Sequence, residues 1–195
     1  GALYRAGNSK MPALAGAGEK NEPAPLALTA ATPRISGTAQ VGRKLTAKPG
    51  SWKPAQVTLK YQWLRNGKKI AKATKSGYTL TATDKGAKIT VTVTGSKSGY
   101  TTVAKTSAKT AKVKAGRLTA TPTPRISGTA KVGKKLTAKA GTWKPSKVKL
   151  SYQWYRGDSR IKGATKSTYK LVKADKKKQI SVKVTGTKAG YTTLT

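Results

Sequence analysis

The stretch Leu59-Lys60-Tyr61-Gln62-Trp63-Leu64-Arg65 decides the fold class. Leu59, Tyr61 and Trp63 alternate with Lys60, Gln62 and Leu64, and that two-residue period predicts a half-buried β-strand. Asn66-Gly67 follows, a dipeptide suited to a tight turn. Working outward, Lys44 to Ala47 reads as one further strand and Tyr78 with Leu80 as another. Ile89, Val91, Val93 and Gly95 alternate with Thr90, Thr92 and Thr94 in a fourth. Pro49-Gly50, Asp84-Lys85-Gly86 and Ser98-Gly99 mark turns between them. No window holds a 3.6-residue apolar period long enough for a helix. Short strands at this spacing predict an all-β protein built as β-sandwiches of about seven antiparallel strands.

The pattern occurs twice. Pro33-Arg34-Ile35-Ser36-Gly37-Thr38-Ala39 returns as Pro124-Arg125-Ile126-Ser127-Gly128-Thr129-Ala130, and residues 33–104 align with 124–195 without a gap. Two tandem domains are expected, at 31–113 and 122–195, with a short link at 114–121. Residues 1–30 match neither copy; Ala, Gly and Pro dominate them, and they read as a linker or the tail of an upstream domain. The stretch from Tyr100 through Lys112 suits a final strand in the first copy. The second copy reaches Thr195 without a counterpart of Lys105 to Lys112. Either the native chain continues past Thr195 or the last strand of the second domain is short, and a short last strand would leave a sheet edge open to pairing.

The motifs are Ile35-Ser36-Gly37-Thr38-Ala39-x-Val41-Gly42, Leu45-Thr46-Ala47, Gly50-x-Trp52-x-Pro54, Tyr61-Gln62-Trp63-x-Arg65, Tyr78-x-Leu80-x-x-x-Asp84, Ile89-x-Val91-x-Val93-Thr94-Gly95 and Gly99-Tyr100. In this order they resemble the Ig-like repeat of secreted and surface proteins of Gram-positive, especially actinobacterial, bacteria. The resemblance covers about four-fifths of the chain. It implies two Ig-like sandwiches with Trp63 and Trp154 as the core Trp of the third strand. It also implies an accessory module beside a hydrolase or surface protein. Lys88 and Gln179 stand where a tyrosine corner would place Tyr, and the chain has no Cys, so no disulfide is available.

Composition narrows the chemistry. The 195 residues include 41 Lys and Arg against 5 Asp and Glu, a formal net charge of +36, with no His and no Cys. Imidazole bases, Ser-His-Asp triads, thiolate nucleophiles and zinc knuckles are therefore excluded. No catalytic group, cofactor motif or metal site is expected. Asp84 and Asp175 are read as acceptors of backbone N–H groups in turns. No stretch is long and apolar enough to span a bilayer. The chain opens on Gly1 without a signal sequence, which reads as a processed or excised piece. If the turn at Gly86 needs positive φ, Lys177 at the same place in the second copy costs on the order of 1 kcal/mol.

The charge divides as +16 over 31–113 and +17 over 122–195. Solubility asks for a net charge of only about 2–8 per small domain. Two readings stand: a polyanion-binding surface, or a solvated face that keeps edges unpaired. The candidate binding residues are Lys48, Lys60, Lys68, Lys69 and Lys88 in the first copy. In the second they are Lys149, Lys170, Lys176, Lys177, Lys178 and Lys183. Lys is a point charge, suited to diffuse attraction rather than base reading. An anionic cell-wall polymer or polysaccharide is the expected partner of a secreted or surface-held protein. Non-specific nucleic-acid binding, and a pure spacer role, are the alternatives. Trp52 and Trp143, in Gly-x-Trp-Lys-Pro turns, are candidates either to stack a sugar or base or to plug one end of the domain. Tyr155 is the aromatic expected to be most exposed.

Overall fold

The computed structural model describes residues 26–195, and they form an all-β protein of several small sheets in two strand clusters. The calls on 1–25 lie outside the described residues. In the first cluster, Arg34–Ser36, Lys44–Lys48 and Gly77–Thr79 make one antiparallel sheet. Val103–Thr106, Ile89–Ser96, Thr58–Arg65 and Lys68–Lys69 make another. The predicted alternation holds: Leu45, Ala47, Trp63, Ile89 and Val91 are buried and form one core fed by both sheets. Asn66 and Gly67 both take positive φ, as a two-residue hairpin turn between Arg65 and Lys68 requires. The buried Trp63 indole donates to the Lys75 carbonyl at 2.9 Å, so its polar atom is not stranded.

The second cluster repeats this plan. Arg125–Ser127, Lys135–Lys139 and Thr168–Lys170 pair in one sheet. Ser159–Arg160, Lys149–Arg156 and Ile180–Thr187 pair in the other. Trp154 is fully buried and donates to the Lys166 carbonyl at 2.9 Å. Among the described residues this cluster has six strands, one fewer than expected, while the first has eleven short ones.

Two boundaries need correction. Residues 26–30, read above as linker, belong to the first cluster. Leu26–Ala27 pairs in parallel with Tyr100–Thr101, and Thr29–Ala30 pairs with Trp52–Lys53. Leu28 between them is buried. The link 114–121 is likewise structured. Lys114 bonds with Ala39 and Val41, Leu118 is buried in the second core, and Ala120 pairs with Lys144. The sequence Leu28-Thr29-Ala30 recurs as Leu118-Thr119-Ala120 at an offset of 90 where the gapless alignment runs at 91; Thr29 pairs with Lys53 in a short strand, whereas Ala120 makes an isolated bridge to Lys144. At the junction the Tyr191 ring packs against buried residues of both clusters. Its hydroxyl sits where a Cβ on Gly42 would lie, so Gly42, at φ +85°, admits it as a larger residue could not.

Candidate polyanion-binding surface

All eleven candidate lysines are exposed. Strand alternation explains most of them. Leu45 and Ala47 point into the core, so Lys44, Thr46 and Lys48 face outward, and Lys60 does the same beside Tyr61. On the second cluster's longer sheet Lys149 and Lys183 share the outer face, across from Thr187 and Gln153 respectively. Lys68 and Lys69 lie in the returning hairpin strand rather than on its turn. Lys176, Lys177 and Lys178 crown the turn that leads into Ile180–Thr187, and Lys177 holds φ +58° where Gly86 holds +80°. The turn does need positive φ.

Register reveals cations that strand-by-strand reading left out. Arg34 stands directly opposite Lys48, Arg125 opposite Lys139, and Lys135 opposite Lys170. Like charges directly opposed across a sheet work against folding by some tenths of a kcal/mol each. In the second cluster Arg125, Lys135, Lys139 and Lys170 thus lie on one outer face of a three-stranded sheet. The signal was present in Lys44-Leu45-Thr46-Ala47-Lys48 and Lys135-Leu136-Thr137-Ala138-Lys139, whose basic ends share a face by period two. The structure groups Lys48 with Arg34 and Lys170 with Lys135. Lys60, Lys149 and Lys183 lie on the outer faces of the other sheets.

The aromatic candidates behave differently. Trp143 is buried, 9% exposed, and its indole donates to the Ala140 carbonyl at 3.1 Å. Trp52 is half-buried, and its indole donates to Pro49 at 3.3 Å. Each ring covers an inward glycine: Trp52 lies on Gly95 and Trp143 on Gly186. Trp143 is packed in the second cluster's core, whereas Trp52 keeps part of its ring exposed. Tyr155 is also only half-buried, opposite Arg160 and Ser181. It lines a shallow hollow with Asp158 and Lys183.

The buried carboxylates are spoken for. Asp84 accepts from the Thr81 N–H at 2.7 Å, the Thr81 hydroxyl and the Tyr78 hydroxyl at 2.8 Å, and Arg65 Nε at 2.7 Å. Burial alone would raise its pKa, but these four donors outweigh it and hold the carboxyl below its ordinary value. Burial and the bond to Asp84 push the Tyr78 phenol up. Asp175 repeats the arrangement with Val172 N–H, Tyr169 and Arg156. The backbone contact was expected of an Asp in this turn; the Arg and Tyr partners were not. Among the described residues these two Arg–Asp contacts are the only salt bridges, so no lysine is neutralised by a carboxylate there. No group of His, Cys, Asp or Glu in a metal-binding cluster occurs among the described residues. No protein-family model matches this chain, and no curated protein is significantly similar to it.

Proposed function

We propose that each strand cluster is an Ig-like β-sandwich of the secreted Gram-positive type that the repeat motifs resemble. The pair is a non-catalytic accessory module that holds a secreted or surface protein on an anionic cell-wall polymer or polysaccharide. One observation carries this reading: three directly opposed cation pairs, Arg34/Lys48, Arg125/Lys139 and Lys135/Lys170, on outer sheet faces. A surface needed only for solubility gains nothing from like charges placed face to face, because solubility is reached at far lower net charge. An external polyanion converts that repulsion into attraction, by displacing its own counterions onto solvent. Two such surfaces on one chain make the second contact intramolecular, which multiplies affinity.

The test is co-sedimentation with purified Gram-positive cell walls across a salt series. Binding should weaken steeply and log-linearly with salt. Replacing Arg125, Lys135, Lys139 and Lys170 together by Gln should weaken it and flatten that slope. Binding that is equal at low and high salt, or indifferent to the four replacements, would sink the proposal. Nucleic acid in place of walls, showing the stronger salt-sensitive binding, would redirect it to non-specific nucleic-acid adhesion.

A further inference from the structure

The joint between the two clusters is stitched from both sides. Gln40 Nε2 of the first cluster donates to the Ala115 carbonyl at 3.0 Å. Gly116 N–H donates to the Gly190 carbonyl of the second, and the Gly116 carbonyl accepts the Thr192 N–H, both at 2.9 Å. Thr119 N–H donates to the Lys144 carbonyl at 2.8 Å. The Tyr191 ring lies on Gly116, and its hydroxyl lies over Gly42. The walls of the joint are thus held in place before any ligand arrives, and such preorganisation favours binding.

Burial alternates along the link. Gly116 and Leu118 are buried, while Arg117 and Thr119 are exposed. Leu118, seated in the second core, turns Arg117 outward onto a cleft of about 210 Å³ at the joint. Arg43 lines the same cleft from the first cluster. Its backbone is fixed by a turn: its N–H donates to the Gln40 carbonyl at 3.0 Å, and its carbonyl accepts the Leu80 N–H at 2.9 Å. Tyr191 brings the second cluster's side of the wall.

The choice of cation matters here. Only eight of the 41 basic residues are Arg. Arg65 and Arg156 are bonded to Asp84 and Asp175, and Arg34 and Arg125 recur as a pair in the repeat. Arg43 and Arg117 do not recur: Lys134 and Ala27 stand at the matching places. Two unrepeated arginines therefore meet at one cleft. No carboxylate lines it, and neither arginine has an acidic partner among the described residues. Two guanidinium groups facing one hollow repel each other until an anion enters. Each planar fork can hold two oxygens of a phosphate at once, which a lysine cannot. The cleft is smaller than the roughly 300–1,000 Å³ of pockets that enclose whole small molecules. It suits a single oxyanion group. A carboxylate offers two oxygens, too few for two forks and a hydroxyl; a phosphate group offers more.

The geometry points to a phosphate-binding site at this joint. Arg43 and Arg117 grip the oxygens of one phosphate group, and the Tyr191 hydroxyl donates a further bond. The site needs the first cluster, the link and the second cluster together. A free phosphate ion and a phosphate within a polymer chain present the same chemistry to it. The inference does not depend on the adhesion reading, which concerns outer sheet faces and needs no fork.

The test is an NMR titration of the full chain at fixed ionic strength, following the arginine Nε–H signals. Inorganic phosphate, acetate and a glycerol-phosphate trimer are the probes. The Arg43 and Arg117 signals should saturate together, while those of Arg34 and Arg125 should not. Phosphate should bind at least about tenfold tighter than acetate. Arg43→Lys with Arg117→Lys keeps the charge and should weaken phosphate binding at least about tenfold, because the forks are gone. Tyr191→Phe keeps the ring and should weaken it roughly fivefold. Unsaturating shifts spread over every arginine would mean diffuse charge alone and overturn the proposal. Equal binding of acetate, or undiminished binding by the double Lys variant, would overturn it too. Tighter binding of the trimer assigns the site to a polymer chain, and tighter binding of inorganic phosphate assigns it to the free ion; either sustains it. Replacing Arg125, Lys135, Lys139 and Lys170 by Gln should leave phosphate binding unchanged. Salt-sensitive wall binding that survives while phosphate fails at the joint would leave the adhesion reading standing alone.

Discussion

The first and second strand clusters share 43 of the 72 residues that align without a gap, yet their cores are sealed to different degrees. Val41 is buried where Val132 is exposed; Ile35 is half-buried where Ile126 is 38% exposed. Leu45 and Leu136, Trp63 and Trp154, and Leu80 and Leu171 remain buried in both. The central core is therefore set by the shared strands. In the first cluster the rim is covered by a closing segment, residues 107–114, which bonds with Val91, Ile89, Ala87 and Val41. That difference can be broken or sharpened one residue at a time.

The largest effect should come from the buried carboxylates. Asp84→Ala leaves Arg65, Tyr78 and the Thr81 N–H without their acceptor, and should cost about 3 kcal/mol, the low end for a broken buried pair because Arg65 reaches solvent. Asp175→Ala should cost about 1 kcal/mol less. Val172 stands where Thr81 supplies a hydroxyl, and Ala174 where Thr83 braces the arginine. Two-domain thermal unfolding reads both. The same pairs fix the acid limb. Both carboxyls titrate below their ordinary value in the folded state. Their stabilisation is fully present above the unfolded value of about 3.9 and is lost as pH falls through the folded value. Stability should hold from neutral pH to about 4 and then drop, and the drop should shrink in Asp84→Ala. An unchanged acid limb in that variant would contradict the assignment.

Val113→Ser should make the first rim resemble the second. It removes a buried apolar side chain, 3% exposed, for a cost of about 2 kcal/mol. Amide exchange at Ile89 and Val91, whose N–H groups the closing segment covers, should speed up while Trp63 stays protected. Uniform destabilisation of the whole first cluster would show instead that rim and core are one cooperative unit.

Which of these features could be read from the chain, and which could not, follows from their range. The strands, the hairpin turn at Asn66-Gly67 and the inward Trp63 are local, set by alternation and turn chemistry, and they stand where the pattern puts them. The leading strand escaped because one inserted residue breaks the register of the repeat and its Ala and Pro neighbours resemble a linker. Trp52 and Trp143 follow turns, so their local sequence leaves stacking and plugging both open. The clue lay elsewhere: Gly95 and Gly186 fall at inward positions of their strands, leaving room that only a distant ring fills. The Arg65–Asp84 and Arg34–Lys48 pairs are likewise products of register. A single strand's sequence shows which face a residue takes, but not which residue it will meet.

The turn before the Ile180 strand is a smaller lever. Lys177→Gly should stabilise the second cluster by about 1 kcal/mol, because Lys holds a left-handed backbone there that Gly adopts without strain. Gly86→Lys should cost the first cluster a similar amount. Unequal shifts would mean that the Lys177 side chain contributes to stability in its own right.

The smallest effect separates folding from binding most sharply. Lys170 faces Lys135, whereas Thr79 faces Lys44 at the matching place in the first cluster. Lys170→Thr should therefore stabilise the second cluster by a few tenths of a kcal/mol at low salt. The gain should vanish as salt screens the pair, since the Debye length falls to about 3 Å at 1 M. The same substitution should weaken adhesion to an anionic polymer. A residue whose removal helps the fold and harms binding is placed for its partner. If Lys170→Thr instead destabilised the protein, the opposed cations would be serving the sheet through their aliphatic stems, and the charge would be incidental to their position.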